Sequence, residues 1–574
     1  MTAITRRLAL TSGLAAGAAS CATTPKMTPY DAVTTAPSGV FAHGVASGDP
    51  GATDVVLWTR LSLSTTDVTI RTDVKWQVAN DESFSDIVAD GNAQTSAAQD
   101  WTVKTLAGGL EPGATYFYRF KIGDITSPIG RTKTLPTGSI DQARFAVLSC
   151  ANVPFGFFNV YDLVARQDDI DAVLHLGDYI YEYGRDGYGG AAGKALNREH
   201  QPVHDCVSLN DYRTRHAQYK ADPASQAMHQ RHSIIPIWDD HEVANDTWKG
   251  GAEHHDPALN GDWNARRRAA LQAYYEWMPV REPEMTPTAF FRSFSFGDLL
   301  TIAAIETRLM ARTKQFEYSE IIPTLQTPED IEQFKETVLW DETREMLGGA
   351  QIDYLDRTFR NSVASGQPWR LIANQVTMAK VTAPDLTPHV TEEDIAALEK
   401  EWKPARAFIQ SSALELPSNF DAWDGYPAAR ERFYDLARTA GDDGMIVVTG
   451  DTHTWWANDL VDRDGNQMGV ELGTHSVSSP SPYNKNFLGG KGAEYALLTN
   501  QKNKDVRYIS GEHHGFIHLT VNRTTARAEY RAVDTIETPS YNAFTKVAFD
   551  IKKSNGSAAF DGTDGLTFKE GFLF

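Results

Sequence analysis

Short apolar runs, each closed by a polar or charged residue, recur through most of the chain beyond residue 140. Residues 145–148, 172–176, 234–237, 299–305, 369–373 and 445–448 read this way, as strands buried on both faces of a parallel sheet do. Between them, residues 263–277 (WNARRRAALQAYYEW) predict a helix stopped by Pro279, and Ile352, Leu355, Phe359 and Val363 recur at helical spacing. Strands alternating with helices predict an α/β layered domain. Nearly every predicted strand ends in residues able to bind a ligand: Ser149-Cys150, Gly177-Asp178, 239–242 (DDHE), 306–308 (ETR), Asn374-Gln375 and 450–453 (GDTH). In open α/β sheets, the C-terminal strand ends line the ligand crevice.

Residues 40–136 follow another pattern. Runs rich in Val, Thr, Tyr, Phe and Trp at 54–60, 68–79, 101–106 and 116–122 are separated by turn clusters such as DPGAT and GGLEPGAT. This spacing predicts an antiparallel β-sandwich of immunoglobulin type, with residues 135–139 as a linker. No catalytic constellation stands out there. The expected division is an export segment and linker (1–35), a β-sandwich (36–138), a catalytic domain (139–540) and a C-terminal tail (541–574) packed on that domain.

Composition narrows the function. The chain has 574 residues, 41% of them hydrophobic, enough for large cores. With 54 basic against 75 acidic residues the net charge is −21, so the surface repels nucleic acid and anionic lipid. Any phosphate-bearing substrate must be drawn in by local cations. The start, with Arg6-Arg7 before a short apolar run, predicts export by the twin-arginine machinery to the periplasm or outside the cell. That route carries proteins already folded around their cofactors. Cys21 offers a lipid anchor as an alternative end to the export segment, although the Leu usual at the place of Ala18 is missing.

Two strand ends are informative in themselves. WDDHE (238–242) crowds three carboxylates and an imidazole together, which is costly without a cation because like charges raise one another's pKa. In GDTH, Asp451 and His453 are two residues apart, on one side of an extended backbone. Tyr181 follows Asp178 by three residues, and Cys150 ends the strand at 145–148. Each fragment alone is compatible with an ordinary turn or a buried cysteine. Their convergence, each after a strand, points to a metal.

The ordered set FAHGVASGDP (41–50), VLWTR, SCAN, GDYIYEY, WDDHE, QAYYEWMP and TGDTHTW resembles the alkaline phosphatase D, or PhoD-like metallophosphoesterase, family from about His43 to the GEHHG stretch at 511–515. The resemblance implies a metallophosphoesterase sandwich of sheets flanked by helices behind an N-terminal β-sandwich. It implies a centre of Fe3+ with Ca2+, and twin-arginine secretion. Carried over by residue, Cys150, Asp178, Tyr181, Asp451 and His453 would hold iron, with Asp178 bridging to calcium and Asp240 and Asp239 supplying further oxygens. Asn374 would supply an amide oxygen or contact the phosphate. GluThrArg at 306–308 stands where the family often has Asp-Thr-Arg.

The chemistry then expected is hydrolysis of small phosphate esters. An anionic ester repels hydroxide, so cations must generate the nucleophile and neutralise the phosphoryl oxygens. Arg308 is expected to hold those oxygens, and His241 either to protonate the leaving oxygen or to orient a ligand. The Gly-rich segment 184–210 reads as a long loop, either a lid or an exposed insertion, and the aromatic tail is expected to pack back over the domain. A diesterase of phospholipase D or teichoic-acid-cleaving type is the alternative on the same scaffold. A non-catalytic envelope protein with structural metals is the alternative from another class.

Overall fold

The predicted apolar runs all form strands, and their ends decide where the chemistry sits. The computed structural model describes residues 39–562 apart from 64, 68, 402, 404 and 485–489. The expected export segment, Cys21 and the tail residues Phe568, Phe572 and Phe574 lie outside the described residues.

Strands Gln142–Leu148, Ala172–His175 and Ser233–Pro236 pair in parallel inside a ten-stranded sheet. Strands Leu300–Ala304, Trp369–Ala373, Met445–Thr449 and Gln467–Gly473 do the same inside a seven-stranded sheet. Side chains alternate between faces with the two-residue period of a strand. Phe145 and Val147 enter the core between the two sheets with Leu371 and Val448, whereas Ala146 and Leu148 face the helices. Helices Asn159–Ala165, Pro223–Arg231 and Trp263–Trp277 cover the first sheet, and Gly349–Ala364 and Pro427–Ala440 cover the second. The result is a sandwich of two sheets between helical layers, as expected. Helix Trp263–Trp277 starts where the Asp262 side chain accepts from Ala265 N at 2.8 Å and ends just before Pro279.

The β-sandwich is present but is not a separate unit. Its sheet of Thr72–Ala79, Ile87–Thr95 and Thr115–Ile122 packs on strands Val45–Gly48, Asp54–Arg60 and Thr102–Gly108. Those last three strands continue the ten-stranded sheet itself, because Val45–Gly48 pairs in parallel with Ser233–Pro236. The FAHGVASGDP motif makes this join. A Cβ on Gly48 would lie 2.3 Å from Pro279 O and 2.7 Å from Ile234 O. The buried Asp49 carboxylate accepts from Arg281 N at 2.9 Å and from Arg292 Nη2 at 2.8 Å.

One expectation is corrected. Segment 184–210 is not a structureless loop: it contains helix Gly190–Leu196, His200 and Cys206 are buried, and Tyr188 stands 6.3 Å from Tyr181. Arg215 ties it down, donating to Gln201 O at 2.9 Å and Tyr183 O at 2.8 Å. The described part of the tail packs on the domain, as expected. Ala543–Ser554 and Ser557–Phe560 add two edge strands to the large sheet, with Phe560 edge-on to Phe549 at 5.5 Å.

Gly48→Ala is therefore expected to lower unfolding stability by about 1–3 kcal/mol, since the new methyl meets backbone rather than a movable side chain. Urea unfolding measures it.

Candidate metal centre

The residues at the strand ends sit in a backbone conformation that L-residues seldom adopt. Cys150, Asp178, Asp451 and His453 have φ of 61°, 52°, 60° and 51°. Each such residue costs about 1–3 kcal/mol, and the price is met by the packed sheets on either side. The turns reverse the chain sharply at the strand ends, bringing Cys150, Asp178 and His453 together and setting Asp451 beside Asp239 and Asp240. Gly177, φ 102°, lets the ends of two strands touch: a Cβ there would lie 2.5 Å from both Asp239 N and Asp239 Cβ.

One group consists of the Cys150 sulfur, an Asp178 oxygen and a His453 nitrogen, all within 4.8 Å of one another. The Tyr181 hydroxyl completes it, 3.0 Å from Asp178 Oδ2 and 3.0 Å from His453 Nε2. Ser479 Oγ donates to the Tyr181 oxygen at 2.8 Å. His453 Nδ1 lies 3.0 Å from Pro480 O, so it carries the proton and the Nε2 lone pair faces the group. Burial holds this imidazole down to about 3. Burial, reinforced by Asp178, also lifts the Cys150 thiol and the Tyr181 phenol well above their usual ranges.

Asp178 also belongs to a second group with Asp240 and His241, and Asp240 to a third with Asp239 and Asp451. Asp178, Asp239 and Asp240 are almost wholly buried. Asp239 Oδ2 and Asp240 Oδ1 have no hydrogen-bond partner, although neither is exposed. Buried carboxylate oxygens without a donor are expensive, and a cation removes the cost. Sulfur, phenol and imidazole suit a trivalent transition metal, whereas the carboxylates of Asp239 and Asp240 suit a hard divalent ion. The donor set thus fits two kinds of metal side by side, sharing Asp178.

Four residues of the region do other work. Arg308 does not reach out for a substrate. Its fully buried guanidinium donates to Asp239 Oδ1 at 2.5 Å and to both Asp421 oxygens at 2.7 and 2.8 Å. Its Nη2 stands 3.7 Å from both Asp240 and Asp451, so it acts as an internal counter-charge. Asn374 is spent elsewhere: Nδ2 donates to Val376 O at 2.6 Å, and Oδ1 accepts from Trp423 Nε1 at 3.2 Å. Glu242, the third carboxylate of WDDHE, fastens the strand ends by accepting from the backbone of Asp178, Tyr179 and Asp239 at 3.1, 2.5 and 2.8 Å. Glu306 uses its extra methylene to take the backbone N–H groups of Arg308, Leu309 and Met310 together with Trp238 Nε1.

Asp421, Glu182, His254 and Asp205 were not foreseen. Asp421 lies in a loop far along the chain, where it pairs with both Arg308 and Arg312. Glu182 is part of GDYIYEY, and its invisible partner is His254, which no strand signal marks. His241 Nδ1 lies 2.8 Å from Glu182 Oε2, and its ring covers that of Tyr181 at 4.1 Å. Asp451, Thr452 and His453 open onto a cavity of about 400 Å³ walled by Trp456, Tyr483 and Tyr495.

Beside the centre, His254 lies between Glu182 and Asp205. Burial opposes its charge, but the hydrogen bonds to Asp205 and Glu182 win and raise it to about 9. A histidine in the unfolded chain titrates near 6.5. The resulting stability is full below about pH 6.5 and is lost as pH climbs through about 9. The difference in urea midpoint between the parent protein and His254→Gln is accordingly expected to be largest near pH 6 and to vanish by about pH 10.

Comparison with known proteins shows the family. The PhoD-like phosphatase family matches residues 145–530, and the N-terminal domain of PhoD-like phosphatases matches residues 27–136. Alkaline phosphatase D of Bacillus subtilis (strain 168) is 33% identical over 528 residues, which is 89% of this chain and 81% of that one. A solved structure of PhoD superimposes with a TM-score of 0.73 at 28% identity, over 92% of this chain and 93% of the other. By family and fold, this chain belongs to the PhoD-like phosphatases and is a phosphoric ester hydrolase.

Proposed function

We propose that the enzyme is an exported alkaline phosphatase that releases inorganic phosphate from monoesters, with some diester turnover, at a centre of ferric iron and calcium. The observation that carries this reading is the pair of buried, partnerless oxygens on Asp239 and Asp240 beside the Cys150, Asp178, Tyr181 and His453 donor set. Cys150, Tyr181 and His453 would hold the iron with Asp178 and Asp451, and Asp240 and Asp239 would hold the calcium. When bound, such metals supply a nucleophile from water near neutral pH and neutralise the phosphoryl oxygens.

The chain's own residues do the rest. Arg308 offsets part of the charge of Asp239, Asp421, Asp240 and Asp451, which keeps the carboxylates close together. His241, with Nδ1 committed to Glu182, has Nε2 left to give a proton to the leaving oxygen. The cavity beyond Asp451 and His453 has room for one organic substituent, and its described lining holds Asp246 and Asp424 but no lysine or arginine. Uncharged ester groups suit such walls. Arg6-Arg7 supports export by the twin-arginine route, with the metals loaded before export.

Elemental analysis of the purified enzyme is expected to find iron with calcium, and Tyr181→Phe to abolish a visible charge-transfer band. Zinc or manganese without colour would overturn the ligand roles of Cys150 and Tyr181. Asp178→Asn is expected to cut kcat/KM about 100-fold or more, because it serves two of the groups. Turnover of 4-nitrophenyl phosphate should exceed that of bis(4-nitrophenyl) phosphate; the reverse order would establish the diesterase instead.

A further inference from the structure

A chain of side chains leads out of the centre through His241. Glu182, wholly buried, accepts from three sides: His241 Nδ1 at 2.8 Å, His254 Nδ1 at 2.9 Å and Asn245 N at 2.8 Å. His241 meets Oε2 alone, while His254 and Asn245 share Oε1. On its far side, His254 Nε2 lies 3.2 Å from Asp205 Oδ2, and Asp205 Oδ1 accepts from Gly184 N at 2.7 Å. The side chains of His254 and Asp205 are 30% and 38% exposed, so the chain ends at solvent.

The rings interleave around this carboxylate. His241 lies over Tyr181 at 4.1 Å, and His254 stacks on Tyr183 at 4.6 Å and 24°. The residues flanking Glu182 in YEY thus each hold one imidazole. Arg266 Nη1 fixes the backbone beneath His254 by donating to its carbonyl at 2.6 Å.

We propose that His254, clamped by Asp205, is a positioning residue for ester hydrolysis, acting through Glu182 to set the direction of the His241 ring. The terminal torsion of a glutamate is broad and two-fold, so one hydrogen bond leaves the carboxylate free to turn. A second and third donor on Oε1 stop that rotation and leave Oε2 as the acceptor for His241. Carboxylates that orient a working imidazole in this way are common at metal sites, and their loss typically costs 10- to 100-fold, roughly. The proposal rests on the reading of His241 as the donor to the leaving oxygen.

The test compares kcat and KM for phenyl phosphate and 4-nitrophenyl phosphate, using metal-loaded full-length enzyme. Phenolate is the poorer leaving group and needs the proton more. His254→Ala is expected to lower kcat for phenyl phosphate about 10- to 100-fold, with KM nearly unchanged, and to affect 4-nitrophenyl phosphate much less. His254→Asn, which keeps a donor towards Glu182, should restore most of the loss, and Asp205→Asn should show a weaker form of it. Equal losses on both substrates, or a loss that follows metal content or melting temperature, would overturn the proposal. His241→Gln separates the two readings. If it shows no dependence on the leaving group, the role of His241 falls; if it does and His254→Ala does not, only the role of His254 falls.

Discussion

Five carboxylates, those of Asp178, Asp239, Asp240, Asp421 and Asp451, meet where the two sheets present their strand ends, and among the described residues two guanidinium groups, Arg308 and Arg312, stand among them. Taking an ion from water into such a place costs several kcal/mol even after relaxation. The surrounding structure is arranged to contain that cost. Glu242 binds three backbone N–H groups across the strand ends, Arg308 touches four carboxylates, and the sheets hold four residues in the left-handed region. What remains without a donor is one oxygen each of Asp239 and Asp240, a need that a cation would meet.

The N-terminal strands contribute to this rigidity rather than standing apart. Val45–Gly48 lies beside Ser233–Pro236, the strand that delivers Asp239 and Asp240. The Asp49 carboxylate pins Arg292 to it, and Arg292 Nη2 also donates to Pro236 O at 2.5 Å. Lys104 Nζ reaches Tyr275 O at 2.6 Å, tying the sandwich to helix Trp263–Trp277 as well. A shift in these strands would be passed directly to the acidic side of the centre.

Much of this was legible in the chain, because parallel strands buried on both faces read as unbroken apolar runs and their C-terminal ends are where polar residues collect. Cys150, Asp178, Tyr181, Asp239, Asp240, Asp451 and His453 do come together. What the pattern could not tell was which polar residue at a strand end faces the centre and which serves the backbone. Arg308, Asn374 and Glu242 look alike in sequence, and only partners such as Asp421 and Trp423, more than 40 residues away, separate them. Ile87–Thr95 escaped because its outer strand alternates exposed and half-buried positions with almost no apolar run. The glycines of 184–210 suggested a loop, and the contrary force, Arg215 donating to Gln201 O within it and Tyr183 O just before it, lies outside it.

The charge balance also governs how substrate is held. With a net charge of −21 and no lysine or arginine in the described cavity lining, the protein offers an anionic ester little attraction outside the centre. Arg308 is fully buried against carboxylates and adds nothing to the approach. The pull on the phosphate must therefore come from the cations that Asp178, Asp239, Asp240 and Asp451 gather. Without them the same carboxylates repel the ester, so metal and phosphate depend on each other, and by linkage each tightens the other's binding by the same factor. An acidic protein can then repel phosphate over its surface and still hold it at the one place where cations are gathered.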